Sequence, residues 1–569
     1  MTIADTAHPT NSAQHHAAKF TGRQRTIALV VVIFAFVMDL LDTTIVNVGI
    51  PSIRTDLGAS YSSIQWLTAG YALSFAVLLI TGGRLGDVIG YKKLFMIGVA
   101  GFTAMSLLCG VAWNIEVLVI ARLLQGAMAA LMVPQVLSLM QVMYAPKERG
   151  AVLGLFGALA GVAASLGPVI GGLLIQANIA GLDWRPIFLI NIPVGVFAFF
   201  AAIRFLPEGK SPHPLKLDIL GTFLIITALT LLIYPLIQGR ELDWPIWIFV
   251  MMASSIPVFV VFWLWQLRKN RIDQSPLIIP GLFKFSTFRV GLAANLSFQM
   301  VLAAFFFTFT LVLQIGLGYD VLKAALTGLP IAVGISVCIA VVAEKLTPIL
   351  GRYTMSLGTI LMAIGLSILL WVFTTFGHNT QPYQLIVGLL ITGAGMGLIL
   401  GLLFSVTLRD VDPKNAGSAS GTLNAVDQLA GAIGIALIGV IFFGQLSAYS
   451  TASFSTAEPT IRSTLSSQGL PAKAQDAIIS GVKTCYVDRS KEKDSAVVPE
   501  SCKQLQTTGS TNPGSVDLDK AIKDGIAVSN ANNFINAFRA MTIYAAVLLV
   551  ITFGLSLLLP RKLSYEPAH

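Results

Sequence analysis

The chain has 569 residues, of which 55% are hydrophobic and 11% are charged, and its formal net charge is +9. Soluble globular domains carry about 25% charged residues, so this composition excludes an ordinary soluble protein. The basic residues are scattered between apolar stretches and do not form one patch. This distribution argues against nucleic acid as a partner and fits the positive-inside rule of membrane proteins.

Apolar stretches of about 20 residues, each long enough to cross a bilayer as a helix, recur along the chain. We therefore expect an all-α polytopic membrane protein with about fourteen transmembrane helices. The predicted spans are 26–50, 61–82, 94–112, 116–143, 151–177, 186–206, 217–238, 245–267, 287–315, 323–344, 353–376, 383–407, 417–445 and 536–559.

The Lys and Arg residues of the short links predict which side of the membrane each link faces, because cytoplasmic links are enriched in both. The opposite set of short links holds little beyond Arg54, Arg185 and Arg240. We expect a multi-pass protein of the cell membrane with both termini in the cytoplasm. The basic residues on the cytoplasmic side are Arg23, Arg25, Arg84, Lys92, Lys93, Lys147, Arg149, Arg268, Lys269, Arg271, Lys345, Arg352, Arg409, Lys414, Arg561 and Lys562.

The first predicted span carries two acidic residues, Asp39 and Asp42, in an otherwise apolar run. A charged carboxylate at the centre of a membrane helix costs ~2.5–3.5 kcal/mol on insertion scales, so a functional role is the first hypothesis. Asp39, Thr43 and Asn47 follow i, i+4 spacing and share one helix face. This polar stripe is suited to the wall of a substrate cavity.

The link after the second span has the spacing G-x-x-x-D-x-x-G-x-K-K, formed by Gly83, Asp87, Gly90, Lys92 and Lys93. Glycines permit a tight turn and a close helix approach. An aspartate can accept hydrogen bonds from a helix N-terminus or pair with a base. We expect a gating loop that latches two helix bundles together, with a plain positive-inside link as the alternative.

The fourth span contains an arginine, Arg122, at nearly the depth of Asp42. At 1.5 Å per residue, Arg122 lies ~9 Å and Asp42 ~12 Å from the same membrane face. The two can therefore pair directly or through Gln125. Such a pair predicts proton coupling, and an ion pair that merely holds the bundle together is the alternative.

A third intramembrane aspartate, Asp427 on the thirteenth span, comes out near the depth of Asp39, ~15 Å and close to the midplane. We expect both to take part in proton coupling and to line one substrate cavity from opposite halves, together with Thr43, Asn47 and Gln125. A hydrogen bond that packs two helices is the alternative for Asp427. The sequence does not decide which aspartate carries the proton.

Two segments, 146–154 and 413–421, share the pattern P-K-x-x-G-x-x-x-G, and each enters a glycine-rich helix from the same side. The repeat predicts two parallel six-helix halves around a central cavity, although chance similarity of Gly-rich helices is an alternative. The expected organisation is a cytoplasmic tail 1–25, a six-helix bundle 26–207, a two-span insert with its linkers 208–285, and a second six-helix bundle 286–569.

The second bundle is interrupted by a polar, Ser/Thr-rich loop, 446–535, between the last two spans. The topology places this loop outside the cytoplasm, where disulfides form and persist. We therefore expect a disulfide between its two cysteines, Cys485 and Cys502.

The motifs resemble those of the major facilitator superfamily, in particular its fourteen-span drug:proton antiporter branch. Segment 83–93 is similar to the superfamily signature, 41–51 to the first-span motif of the branch apart from Gly49, where alanine is usual, and 118–130 to the fourth-span motif. Segment 161–172 is similar to the antiporter motif of the fifth span, and ordinary tight helix packing is the alternative for its small residues. The residues that carry this last likeness are Gly161, Gly167, Pro168 and Gly171.

The resemblance implies a proton-coupled antiporter that exports amphipathic, cationic drugs or toxic compounds by alternating access. The alternatives are export of a lipid or endogenous metabolite on the same scaffold, and a non-transport receptor built on the 446–535 loop. The chain shows no metal-ligand cluster, nucleophile motif or nucleotide-binding loop, so we expect neither an enzyme nor a cofactor or metal. The expected partners are protons, a small molecule and the lipid bilayer, and the expected state is a monomer.

Overall fold

The computed structural model describes residues 22–144, 146–211, 216–342, 346–412, 415–467, 470–491, 499–503 and 516–561. We number its main helices in chain order. They are α1 Gly22–Leu57, α2 Tyr61–Ile89, α3 Tyr91–Gly110, α4 Ile115–Met143, α5 Pro146–Ala177, α6 Pro186–Phe205 with a break at Ile190, α7 Ile219–Gln238, α8 Ile246–Ile272, α9 Ser286–Leu311, α10 Val321–Thr327 and Leu329–Val341, α11 Tyr353–Phe376, α12 Pro382–Leu408, α13 Ala416–Ala448, α14 Ser450–Ser467, α15 Ala472–Lys491 and α16 Val516–Leu558.

Among the described residues, thirteen helices are long and apolar enough to cross a membrane. Helix α5 covers the fifth predicted span, and its apolar part Leu166–Ala177 is the shorter stretch described there. The described part of the chain contains no strand. The protein is therefore a polytopic all-α membrane protein, as the composition predicts.

Three helices extend beyond their predicted spans. Helix α1 continues through Pro51 to Leu57, and α2 continues to Ile89, so most of the predicted gating loop is helical. Helix α16 begins at Val516, 20 residues before the predicted span 536–559. Hydropathy finds the part of a helix that lies in lipid, whereas polar turns beyond the membrane look like loops.

Some helix starts are fixed by side-chain caps, as their sequences lead one to expect. Ser60 accepts from the Ser63 N–H at 3.1 Å at the start of α2, and Asn114 accepts from the Val117 N–H at 2.9 Å at the start of α4. Gly90 separates α2 from α3 with φ +109°, a conformation that favours glycine. The turn between α2 and α3 is thus one residue long.

The helices alternate in direction, so the molecule has two sides. We call the side where α1 begins the terminus side, and the side where α14 and α15 lie the loop side. Helices α1 to α6 pack together as a first half, and α9 to α13 with α16 as a second half. Helices α7 and α8 pack against each other, and α7 also lies against α2 and α13.

The apolar core shows where the two halves meet. On the loop side, buried residues of both halves form one cluster that includes Ile50, Leu118, Phe307 and Phe443. On the terminus side, the first half has a separate cluster that runs from Ala28 on α1 to Leu206 after α6, with Ala425 of α13 at its edge. The two halves therefore share one core cluster on the loop side, whereas the terminus-side cluster consists of buried residues of the first half.

Candidate functional site

The structure brings Asp42 and Arg122 together in the first half, where both side chains are about 1% exposed. Arg122 Nη1 donates to Asp42 Oδ2. Asp42 Oδ1 also accepts from Gln125 Nε2 at 3.0 Å and from Asn191 Nδ2 at 2.8 Å. Ser106 Oγ accepts from both amides, at 2.7 Å from Gln125 and 3.2 Å from Asn191. Three helices, α1, α4 and α6, therefore meet at one carboxylate, and α3 joins the network through Ser106.

The remaining contacts of Arg122 fix its guanidinium in place. Its Nε donates to the Leu67 carbonyl at 3.2 Å, and its Nη1 donates to Gln125 Oε1 at 2.7 Å. The guanidinium carbon lies 4.3 Å from the centre of the Tyr71 ring, within the range of a cation–π contact. Asn191, Ser106 and Tyr71 were not predicted as site residues. An Asn, a Ser or a Tyr within an apolar span is the only signal that could have indicated them.

Asp39 lies one helical turn from Asp42, nearer the terminus side, and is 4% exposed. It accepts a hydrogen bond from the Tyr71 hydroxyl at 2.5 Å. The Tyr71 ring therefore touches Arg122 while its hydroxyl touches Asp39. This arrangement links the two aspartates of α1 through one tyrosine.

The rest of the predicted polar stripe is less enclosed. Thr43 is half-buried, and its hydroxyl donates to the carbonyl of Leu40 in its own helix at 2.9 Å. Asn47 is also half-buried. Gln125, predicted for the cavity wall, is instead fully buried within the Asp42 network. The predicted cavity residues thus fall into two groups. Asp39 and Gln125 are enclosed in the polar network, whereas Thr43 and Asn47 lie on a partly exposed helix face.

Asp427 lies on α13 in the second half and is half-buried. It accepts from Asn295 Nδ2 of α9. Among the described residues, no hydrogen bond joins Asp427 to Asp39. Each aspartate has its own partner in its own half, and their shared depth stays a prediction.

The side chains of Asp87 and Lys92 in the signature segment make their described hydrogen bonds within the first half. Asp87 accepts from the Tyr91 hydroxyl at 2.9 Å, and Lys92 donates to the Ile203 carbonyl at 2.9 Å, whereas Lys93 is exposed. Gly83 lies inside α2, half-buried. The predicted latch between the halves is thus not among the hydrogen bonds that the structure gives Asp87.

A neighbouring residue that we did not predict, Arg84, makes the longer-range contact. It is 5% exposed and donates to the carbonyls of Ser275 at 2.8 Å and of Pro276. Both belong to the link between α8 and α9. Arg84 therefore attaches the first half to the link between α8 and α9.

The start of the insert is held in the same region. The Asp218 carboxylate caps α7 through the Gly221 N–H at 2.9 Å and accepts from Trp265 at 2.8 Å and Gln266 at 2.9 Å. Burial alone would raise the pKa of Asp218, but the hydrogen bonds from Trp265, Gln266 and the backbone outweigh it and hold the pKa below its ordinary value of 3.8.

The glycines of α5 allow this helix to pack closely on both halves. A Cβ at Gly167 would lie 2.0 Å from Thr44 Oγ1 of α1, and a Cβ at Gly171 would lie 2.6 Å from Ile45 of α1. A Cβ at Gly172 would lie 3.1 Å from the Leu322 Cα of α10. Pro168 is half-buried in the same helix. Gly161 lies in α5 too, but its packing is outside the described residues.

Aromatic and cationic side chains close the loop side. The Tyr61 ring at the start of α2 lies 4.1 Å from the Phe443 ring of α13. Arg54 lies 4.1 Å from the Tyr61 ring centre, and Arg240, from the link between α7 and α8, lies 5.8 Å from it and 5.7 Å from that of Phe443. Gln65 adds a hydrogen bond to the Ile435 carbonyl at 2.9 Å. Both halves and the insert therefore meet here.

The long polar segment is largely helical where it is described. Helix α14 packs on α16, α15 packs on α14, and the structure joins Cys485 to Cys502 by a disulfide. Asn533 of α16 donates to the Leu446 carbonyl at 2.9 Å. Burial raises the pKa of Tyr486 to about 12. The segment thus forms a small helical unit attached to α16.

Among the described residues, no group of three or more His, Cys, Asp or Glu side chains could hold a metal ion. The candidate site is instead a buried charged network inside a membrane helix bundle. A model of the Major Facilitator Superfamily matches residues 32–435. The chain belongs to the major facilitator superfamily. It is a membrane transporter and not an enzyme.

Two relatives of this major facilitator cover 95% and 76% of its length. It is 40% identical over 539 residues to a probable actinorhodin transporter of Streptomyces coelicolor, covering 95% of this chain and 92% of the relative. It is 30% identical to a tetracenomycin C resistance and export protein of Streptomyces glaucescens, covering 76% of this chain and 78% of the relative.

The fold of this major facilitator is similar to that of a bacterial homolog of the human lysosomal transporter Spinster, solved in an inward-facing and unoccupied conformation. The TM-score is 0.59 at 15% identity, with 96% of this chain and 100% of that chain covered. The match to the family model confirms the family prediction. Membership of the fourteen-span branch stays a prediction.

Proposed function

We propose that this transporter is a proton-coupled antiporter that exports amphipathic, cationic drugs or toxic compounds from the cell. In this proposal it acts as a monomer, both termini are cytoplasmic, and the terminus side faces the cytoplasm. The names of the two relatives support export of a small molecule. The distribution of Lys and Arg supports the orientation.

The observation that carries the proposal is the buried pair of Asp42 and Arg122. A buried ion pair is weak evidence for stability, because desolvating two charges offsets most of their attraction. Removing one partner of such a pair typically costs ~3–5 kcal/mol, since the other charge stays buried and uncompensated. A network with this property responds strongly to a single proton, which suits energy coupling.

The position of the network links a proton to a change of shape. Asp42 receives donors from α4 and α6, and α1 itself packs against α5, which touches the second half at Leu322. A change of charge at the network therefore acts on helices that form the contact between the halves. Rocking of the halves then exposes the cavity alternately to the two sides.

Asp427 is proposed to attract the cationic part of the substrate. It is half-buried and lies in the second half, and its partner among the described residues is the amide of Asn295, not a base. An intramembrane carboxylate without a cationic partner favours a bound cation, because low dielectric strengthens the attraction. Asp427→Asn should thus reduce export of cations more than of neutral solutes. An equal reduction for both would assign Asp427 to helix packing.

The coupling is tested by transport in proteoliposomes with an imposed pH gradient and a panel of dyes and lipids. Asp42→Asn should abolish gradient-driven transport while the protein remains folded in the membrane. Asp56→Asn is the matched control, because Asp56 lies on the same helix but pairs with Arg185 at the surface. Undiminished gradient-driven transport by Asp42→Asn would refute the proposal.

A second candidate is export of one endogenous metabolite. The similarity to the probable actinorhodin transporter over 95% of this chain favours it. The same dye panel separates the candidates, because a transporter of one metabolite should fail to export most dyes.

Deleting residues 450–515 tests the receptor hypothesis, in which the function is binding by this segment and not transport. Export that persists after the deletion would exclude an essential receptor role.

A further inference from the structure

The buried network of the first half contains two carboxylates and one guanidinium. Asp39, Asp42 and Arg122 are all at most 4% exposed. With both carboxylates ionised, the three groups carry a net charge of one negative unit. An uncompensated buried charge is costly, so the group is most stable with one additional proton. The question is which carboxylate takes it.

The hydrogen-bond donors are divided unequally between the carboxylates. Asp42 accepts from Arg122, Gln125 and Asn191, and one of these donors is itself charged. Asp39 accepts from the neutral hydroxyl of Tyr71. Hydrogen bonds to the charged form of a carboxylate, and a nearby cation, both favour that charged form. Asp39, with one neutral donor, is therefore the carboxylate on which a proton is best accommodated.

We propose, building on the proposed antiport function, that Asp39 takes up and releases the coupled proton and that Tyr71 is a positioning residue between Asp39 and the Asp42–Arg122 pair. A proton from water adds to one Asp39 oxygen and makes a neutral carboxylic acid. On release, the same O–H bond breaks and the proton returns to water on the other side.

Tyr71 transmits the change because its two ends touch different members of the network. Its hydroxyl donates to ionised Asp39, and its ring lies against Arg122. When Asp39 is protonated, the carboxyl group attracts the hydroxyl less strongly, since charge-assisted hydrogen bonds are the stronger ones. The ring is then freer to shift against the guanidinium, and the surroundings of Arg122 change with the protonation of Asp39.

Among the described residues, no other titratable group lies close enough to compete for this role. The groups that face Asp39 are Tyr71 of α2, Arg122 of α4 and Asp42 of its own helix. Helices α5 and α6 also pack against α1, and their stretches 155–175 and 186–203 contain no titratable residue. Asp39 is also more exposed than Asp42, at 4% against 1%, and it lies nearer the terminus side than Asp42 does.

The proposal is tested by proton release from the purified full-length transporter in weakly buffered detergent solution, with ethidium as the probe cation and a pH indicator as the readout. The wild type should release protons when ethidium binds. Asp39→Asn should bind ethidium with no release, whereas Asp39→Glu should restore it. Asp56→Asn should behave as the wild type. Proton release that persists in Asp39→Asn would assign the proton to another group and overturn the proposal.

A tyrosine pair tests the positioning role and remains informative if Asp39→Asn does not fold. Tyr71→Phe keeps the ring against Arg122 but removes the donor to Asp39, so the pH dependence of proton release should shift with release retained. Tyr544→Phe is the matched control, because its buried hydroxyl makes no described hydrogen bond. An unshifted pH profile in Tyr71→Phe would refute the role. A wild type that neither releases protons nor uses a pH gradient would instead refute the underlying antiport function.

Discussion

Adding one methyl group at Gly167 measures how closely α5 must approach α1. A Cβ there would lie 2.0 Å from Thr44 Oγ1 and 3.0 Å from Thr44 Cβ. Ordinary contacts begin at 3.4 Å, so the helices must separate or Thr44 must move. Thr44 cannot turn away freely, because its hydroxyl donates to the Leu40 carbonyl of its own helix at 3.0 Å. Overpacking of this kind typically costs ~1–3 kcal/mol.

The displacement should reach the second half. Gly172 faces α10 from the same helix, and a Cβ there would lie 3.1 Å from the Leu322 Cα. Moving α5 away from Thr44 therefore changes its contact with α10 as well. We expect Gly167→Ala to lower both the thermal stability of the transporter in detergent and its transport rate.

The matched control is Gly554→Ala, because a Cβ at Gly554 of α16 would have no atom within 4 Å. It also corrects for the ~1 kcal/mol by which alanine favours a helix over glycine. Thr44→Ala should restore part of the loss, since it removes the oxygen at 2.0 Å and leaves the contact at 3.0 Å. Gly167→Ala with wild-type stability, or no recovery in the double variant, would refute the close contact between α5 and α1.

Arg240→Ala should loosen the loop-side closure by ~0.5–2 kcal/mol, the range of a cation–π contact, and should increase labelling of a cysteine placed on that side; unchanged labelling would contradict this role. Because the pKa of Asp218 lies below 3.8, its carboxylate stabilises the fold fully above that pH and loses this effect as the pH falls toward the lowered pKa. Asp218→Asn should therefore melt at a temperature less sensitive to acid than the wild type, and equal acid sensitivity would argue against the cap. Removing the disulfide with Cys485→Ser and Cys502→Ser should destabilise the loop unit by ~3 kcal/mol and leave the transport rate nearly unchanged. Proteolysis of the loop measures the first effect, and a large loss of transport would contradict the second.

The sequence could predict the depth of each site residue along its helix, but not which residues face each other. Counting residues from the helix ends at 1.5 Å each placed Asp42 and Arg122 at similar levels, and the structure has them in contact. The same count placed Asp39 level with Asp427, yet these two have separate partners. Depth depends on position along one helix, whereas facing depends on how that helix is rotated in the bundle, and hydropathy does not report rotation.

The residues that hydrogen-bond around the ion pair could not be predicted from the sequence for a related reason. Asn191 donates to Asp42, and Ser106 accepts from Asn191, from helices far apart in sequence, so their roles arise only from packing. Arg84 was counted as a residue of the positive-inside links. Its actual partners are backbone carbonyls such as that of Ser275, and carbonyls carry no sequence signal.

The hydrogen bonds between α2 and the insert determine which parts of the molecule move together. Ser62 donates to the Ile237 carbonyl near one end of α7, Thr81 lies 2.9 Å from Thr222 near the other, and Arg84 holds the link beyond α8. In the proposed rocking motion, one moving body therefore contains eight helices, α1 to α8, and the other contains six, α9 to α13 and α16. The body with eight helices displaces more lipid as it tilts and therefore meets more viscous drag. Most of the rotation should then occur in the body with six helices. A fluorophore on α16 should consequently swing through a larger angle than one on α1 in each cycle.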